Sequence, residues 1–299
     1  MYGTLIAFFV CIALVQFSLS IQGALRRTFE KRPKVLWAVP ALLLIFLCLF
    51  LSSNRILTLP LVLLAGSFVI TPTVLSYING PGSGPHRHTY STPWLDLSAI
   101  LALWLPLEFG VGKALVPERF HGSAHAIAYG IAVTLGLVLF LEYRQLPGMK
   151  YQLPRAWRDL ANPLAGLAIA VPVLSNLAQK LHFIGSFHVP PDFSLSSFGL
   201  RYLTIFLGVA LPEELLFRSL IQNWIMQQYG WNWKSLSIAS LVFGAAHLNN
   251  APGGFPNWRY MSLATVAGLI YGKVFQTSSS IVCSAGLHAA VNTLRHTFY

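Results

Sequence analysis

Long apolar runs alternate with short polar connections along the whole chain. A helix needs about 20 residues to cross a bilayer's hydrocarbon core. By that ruler the pattern predicts spans at 4–24, 35–52, 56–77, 94–110, 124–142, 160–178, 199–226, 236–249, 260–275 and 279–297. The eighth and ninth are short and read as tilted or partly re-entrant. The expected fold is all-α and polytopic, with about 8–10 transmembrane helices. No internal repeat of the kind that builds paired transporter halves is visible.

Composition agrees. The 299 residues would suffice for about two soluble domains, but 55% are hydrophobic and only 10% charged. Soluble domains carry about a quarter charged residues, so a soluble, disordered or disulfide-scaffolded protein is excluded. Cys11, Cys48 and Cys283 all lie inside apolar runs and read as packing residues. The balance of 20 Lys and Arg against 9 Asp and Glu gives a net charge of +11. Those cations sit in loops rather than on a basic surface interleaved with aromatics, so the partner they imply is the lipid bilayer, not nucleic acid.

Their placement also predicts topology. Arg26, Arg27, Lys31, Arg32 and Lys34 follow the first run, and Arg144, Lys150, Arg155 and Arg158 occupy the loop at 143–158. Both loops are expected on the cytoplasmic side, with the N-terminus outside. No cation precedes the first run, which favours a first helix over a secretory signal. A signal cleaved near Ser18–Ser20 is the alternative. The short loops suit a bacterial inner (cytoplasmic) membrane.

Residues 78–93 form a Gly- and Pro-rich linker through Gly80, Pro81, Gly82, Gly84 and Pro85. His86 and His88, beside Arg87, are read there as solvated, with metal binding as the alternative. The aromatic and proline-rich stretch 180–198 is expected to be interfacial and to cover a cavity. Glu108, near Pro106 and Gly110, reads as snorkelling or pairing with Lys113. His125 reads as a helix cap and His296 as interfacial. Tyr77, Trp94, Trp104, Trp231 and Trp233 suit aromatic belts. A composition shift near 155 divides a transmembrane region of unassigned function, 1–155, from 156–299, where ionisable residues enter the spans repeatedly.

Those residues carry the candidate chemistry, because charge at bilayer depth is costly and by default marks a functional or paired site. The seventh span contains Leu211-Pro212-Glu213-Glu214-Leu215-Leu216-Phe217-Arg218. Consecutive helical residues point about 100° apart, whereas i and i+4 share a face. Glu214 is therefore expected to pair with Arg218, leaving Glu213 on another face. Phe243 and His247 lie four apart, as do His288 and Asn292. A carboxylate and an imidazole can hold and deprotonate water. A second imidazole and a carboxamide can donate to the oxyanion formed when that water attacks a peptide carbonyl. Gly268 and Gly272 read as a close helix-packing pair.

EELLFR at 213–218, FGAAH at 243–247, AGLIYGKVFQTSSS at 267–280 and HAAVN at 288–292 occur in order. Together they resemble the CPBP (CAAX protease and bacteriocin-processing, or Abi) family of glutamate-type intramembrane proteases, and are similar to its type II CAAX prenyl endopeptidases. One departure is Ser278-Ser279-Ser280, where a Thr-Gly-Ser turn is common. The resemblance covers about 200–296 and implies a protease domain over 156–299. It assigns water activation to Glu213 and His247, the oxyanion hole to His288 and Asn292, and a structural ion pair to Glu214 and Arg218. It implies a membrane-associated or lipid-anchored peptide as substrate and no cofactor. Zinc held by Glu213, His247 and His288 is the alternative, since one Glu and two His make an open site.

Other intramembrane protease signatures are missing: the only Ser between glycines, Pro81-Gly82-Ser83-Gly84, lies in a loop, and neither Gly-Asp nor HExxH occurs. Two competing readings keep the same residues. One is an inactive member serving as a binding scaffold or immunity protein, the other a transporter using the buried charges as an ion path. Substrate identity and oligomeric state are not legible in the sequence.

Overall fold

A chain without water to hydrogen-bond must satisfy its backbone internally, and an apolar run does so as a helix. The computed structural model, which describes residues 2–82, 92–250 and 254–299, is 77% helical with no strand. His86, Arg87 and His88 lie outside the described residues. Contacts divide the chain into two compact units, Met1–Pro147 and Gly148–Tyr299. The segment 148–155 packs with the second unit, so the composition shift at 155 falls just inside it.

The first unit holds α1 (Tyr2–Val15), α2 (Leu19–Lys31), α3 (Ala38–Ser53), α4 (Leu59–Ile78), α5 (Pro93–Glu108) and α6 (His121–Gly136). α6 runs on through a π-helical stretch, Leu137–Tyr143. The second unit holds α7 (Arg158–Lys180), α8 (Leu195–Tyr229), α9 (Trp233–Ala245), α10 (Trp258–Thr277) and α11 (Ile281–Phe298).

The chain is a multi-pass membrane protein. Among the described residues five helical stretches are long and apolar enough to cross a bilayer: Pro33–Ser53, Leu59–Ile78, Glu118–Tyr143, Arg158–Lys180 and Leu195–Tyr229. A bent pair raises the number to six. This is fewer than the apolar pattern predicts. The run at 4–24 is not one helix but α1 and α2, which meet at 88°. α5 and α9 have 16 and 13 residues, short of a full crossing. α10 carries Arg259 and Lys273, and α11 carries His288, Asn292, Arg295 and His296, which dilute their apolar character.

In the first unit Arg144, which the sequence places only among the cations of the loop at 143–158, is drawn into the interior. Arg144 is buried, and its Nε donates to Asp96 Oδ1 at 2.7 Å. Its Nη1 donates to the carbonyls of Asn79 and Gly80. Glu142 is fully buried, with Oε2 3.5 Å from Arg26 Nε. Neither carboxylate stands out in sequence, because each falls at the edge of an apolar run. Glu108 accepts from the Trp104 indole at 3.1 Å, and the His125 ring stacks on Tyr129.

In the second unit small residues let α9 and α10 touch backbone to side chain. A Cβ at Gly244 would sit 2.0 Å from Thr265 Oγ1, and one at Gly272 would sit 2.6 Å from Leu236 Cδ1. α8 stays continuous by widening into π-helical turns over Phe206–Ala210 and Leu215–Gln222, with the α-helical turn Leu211–Glu214 between them. Such π turns interrupt helices mostly at functional positions, and here they flank the paired glutamates.

The turn after α10 is held by residues far away in sequence. Lys150 Nζ donates to the carbonyls of Phe275, Gln276 and Ser278 at 2.7, 3.0 and 2.8 Å. These are carbonyls that a helix end leaves open. Asp159 accepts from the backbone N–H groups of Arg155, Ala156 and Ser279. The three serines therefore sit in a turn fastened from outside and need no glycine. Lys150→Met strips three carbonyls of a charged donor and is expected to cost about 2–4 kcal/mol. Thermal unfolding in detergent measures this, and an unchanged midpoint would show the clasp to be dispensable.

Candidate active site

Phe243 organises the site. It lies one helical turn before His247, and its ring packs edge-on against Phe217, His247 and His288, with centroids 5.0, 4.8 and 6.0 Å away. The Arg218 guanidinium lies 4.6 Å over the same ring. One aromatic residue from α9 thus gathers side chains from α8, α11 and the turn that ends α9.

Glu213 and Glu214 part as helical geometry requires. Glu214 is fully buried and its Oε2 accepts from Arg218 Nε at 3.1 Å. Glu213 keeps a quarter of its side chain exposed and lines a cavity of about 400 Å³. Among the described residues, Arg218 Nη1 and Nη2 have no hydrogen-bond partner. The guanidinium charge is therefore answered by Glu214 and the face of Phe243 alone.

His288 stands between the two carboxylates. Its Nδ1 lies 3.1 Å from Glu214 Oε1, and its Nε2 lies 3.9 Å from Glu213 Oε2. Tyr271 stacks on the imidazole with centroids 4.8 Å apart and planes at 22°. With Glu214 paired to Arg218 as a carboxylate, Nδ1 must donate to it. A neutral His288 then accepts at Nε2, and only the imidazolium donates there.

His247 is fixed differently. Its Nδ1 lies 2.8 Å from the Phe243 carbonyl, which can only accept. The neutral ring therefore carries its proton on Nδ1 and its lone pair on Nε2. Its other face meets the Tyr260 ring edge-on at 4.7 Å.

Glu213, His247, His288 and Asn292 all line the one cavity. Its remaining walls are mainly apolar and include Ala170, Leu174, Phe183, Ile184, Phe187 and Leu263. The aromatic segment expected to cover a cavity therefore contributes Phe183, Ile184 and Phe187. His296, expected at an interface, also lines it. Among the described residues no three His, Cys, Asp or Glu side chains are grouped to hold a metal ion.

Several residues of the site had not been singled out: Asn250, Tyr260, Tyr271 and Arg295. For Arg295 a signal existed. It lies three residues beyond Asn292 and seven beyond His288, on the same helical face. Tyr271 offers no such cue, because an aromatic residue in a membrane helix is usually packing.

Residues 195–294, about a third of the chain, match the family described as type II CAAX prenyl endopeptidase Rce1-like. No curated protein and no solved structure is a match. The matched segment begins at the first residue of α8 and ends inside α11, so it encloses every motif and all but the last few residues of the cavity's C-terminal wall. That match supports a likeness of the 195–294 segment of this membrane protein to the CPBP/CAAX protease family.

Proposed function

We propose that this protein is an intramembrane endopeptidase that hydrolyses a membrane-associated or lipid-anchored peptide with a Glu- and His-activated water. The observation that carries the proposal is the convergence of Glu213, His247, His288 and Asn292 on one mainly apolar cavity. An apolar cavity of this size admits a few residues of extended peptide and excludes bulk water, which strengthens every polar contact inside.

In the proposed reaction Glu213 and the His247 Nε2 lone pair hold a water molecule. Its proton passes to Glu213 as its oxygen bonds to the scissile carbonyl carbon, and the carbonyl electron pair moves onto oxygen. Asn292 Nδ2 and the imidazolium form of His288 donate to that oxyanion. Collapse expels the amine, which takes the proton from Glu213. Each atom is balanced, and no covalent enzyme intermediate or metal takes part. Glu214 holds His288 in orientation and is itself held by Arg218. The same reading has the N-terminus outside a bacterial inner membrane.

Purified protein in proteoliposomes, given a pool of N-palmitoylated apolar octapeptides, tests this. Mass spectrometry is expected to find internal cleavage that persists in excess chelator. Loss of cleavage on chelation, restored by zinc, would overturn the metal-free mechanism. Ion flux without any cleavage would favour transport instead.

A further inference from the structure

The proposed chemistry makes no use of α2. This helix leaves α1 at 88°. Its 13 residues give about 20 Å of length, too short to cross a bilayer. Its depth in the membrane is set by its neighbours in the first unit. It runs through Arg32 directly into the spanning stretch Pro33–Ser53, and it packs on the end of the stretch Glu118–Tyr143. There the Phe29 and Tyr143 rings meet edge-on at 5.9 Å, and Arg26 reaches Glu142. One span begins and another ends beside α2, which puts the helix at the rim of the hydrocarbon layer.

The two sides of α2 differ. Gln22 and Phe29 are buried, and Leu25 and Arg26 are partly buried, the inward stripe of a 3.6-residue period. Arg27 and Lys31, one turn apart, face outward, and Arg32 and Lys34 beyond the helix end are exposed as well. Among the described residues none of these four forms an ion pair. The one carboxylate between Leu19 and Trp37 is Glu30, and its Oε1 accepts from Gln145 Nε2 at 3.0 Å. The flanking helices turn apolar side chains outward instead, Phe8 and Leu14 from α1, Leu42, Ile45 and Leu49 from α3. Four unanswered cations therefore stand where the lipid-facing apolar surface stops.

We propose that α2 is an interfacial helix whose Arg27, Lys31, Arg32 and Lys34 bind the phosphates of acidic phospholipids in one leaflet. A zwitterionic headgroup brings its own cation to the surface, whereas an acidic one brings net negative charge and is attracted about 5-fold more for each Lys or Arg at the interface. Arg26 and Phe29 hold the helix to the first unit from the inside, so the outward cations form a fixed surface rather than a loose tail. This gives the first unit the role of a charge-selective membrane anchor, whether or not the second unit cleaves peptides.

The test places the full-length protein in phosphatidylcholine vesicles doped with a minor fraction of photoactivatable lipid carrying a headgroup-proximal diazirine, either phosphatidylglycerol or phosphatidylcholine. Cross-links are mapped by mass spectrometry to the segment 24–37. Phosphatidylglycerol is expected to label it at least about 10-fold more than phosphatidylcholine at low salt, and less as salt screens the charges. Each single substitution, such as Lys31→Gln, should lower that yield by about 5-fold. The quadruple Gln variant should fall to the phosphatidylcholine level, with its thermal midpoint in detergent unchanged because all four side chains are exposed. A variant with Arg27→Lys and Arg32→Lys should keep the preference, since headgroup attraction depends on charge.

Equal labelling by the two lipids, or a preference that survives in the quadruple variant, would overturn the proposal. So would labelling abolished by soluble glycerol phosphate at matched ionic strength, which would reassign the cations to a free phosphate ligand.

Discussion

Glu213→Gln is expected to lower kcat by about 10²- to 10⁴-fold, the range for losing a positioned general base. Glutamine keeps the volume and can still hold water, but it cannot take the proton. Two features make the loss specific. Glu213 retains a quarter of its exposure, so the substitution opens no hole in the core, and a stability change within about 0.5 kcal/mol is expected. The fixed tautomer of His247, with Nδ1 committed to the Phe243 carbonyl, leaves one lone pair to share the water and no second acid–base site on that ring. Peptide affinity should therefore survive while turnover does not. Single-turnover cleavage together with thermal unfolding in detergent separates the two quantities. Wild-type turnover in Glu213→Gln would remove this residue from the chemistry, whatever became of the fold.

Glu214→Gln is expected to fail for a different reason. The Glu214 carboxylate answers the fully buried Arg218 and orients His288 through Nδ1. Removing its charge leaves a guanidinium with no counter-ion in a low-dielectric interior, a loss of about 3–5 kcal/mol. Replacing both partners, as in Glu214→Gln with Arg218→Met, removes the stranded charge and is expected to recover most of that stability. Activity should not return, because an amide presents either its oxygen or its NH₂ to the imidazole and no longer enforces one ring state. A drop of about 10³-fold or more is expected where a positioned carboxylate behind a catalytic imidazole is lost. A double variant that is both stable and fully active would show the pair to be scaffolding only. A double variant as unstable as the single one would mean that the buried charge is not what destabilises.

How much of this was readable beforehand differs residue by residue. The pairing of Glu214 with Arg218 follows from four-residue spacing on any helix, and the separate direction of Glu213 follows from the 100° step. The all-helical fold follows from apolar runs that must satisfy their own backbones. The 88° corner between α1 and α2 was not readable, because Gln16, Phe17 and Ser18 interrupt an apolar run without breaking its average. The burial of Arg144 was not readable for a related reason: a charge at the end of an apolar run looks like any other loop cation until a carboxylate such as Asp96 is brought to it.

By itself the sequence determined which side chains could take part: two glutamates, two imidazoles, an amide and a guanidinium at helical spacings, along with the membrane setting that makes each costly to bury. Only the tertiary structure decided what each one faces. Helical periodicity carries information over a turn or two, whereas the link from His288 to Glu214 spans 74 residues and depends on the packing of separate helices. The same packing set Tyr271 flat against His288, put Arg295 at the cavity wall, and fastened the triple-serine turn to Lys150 and Asp159.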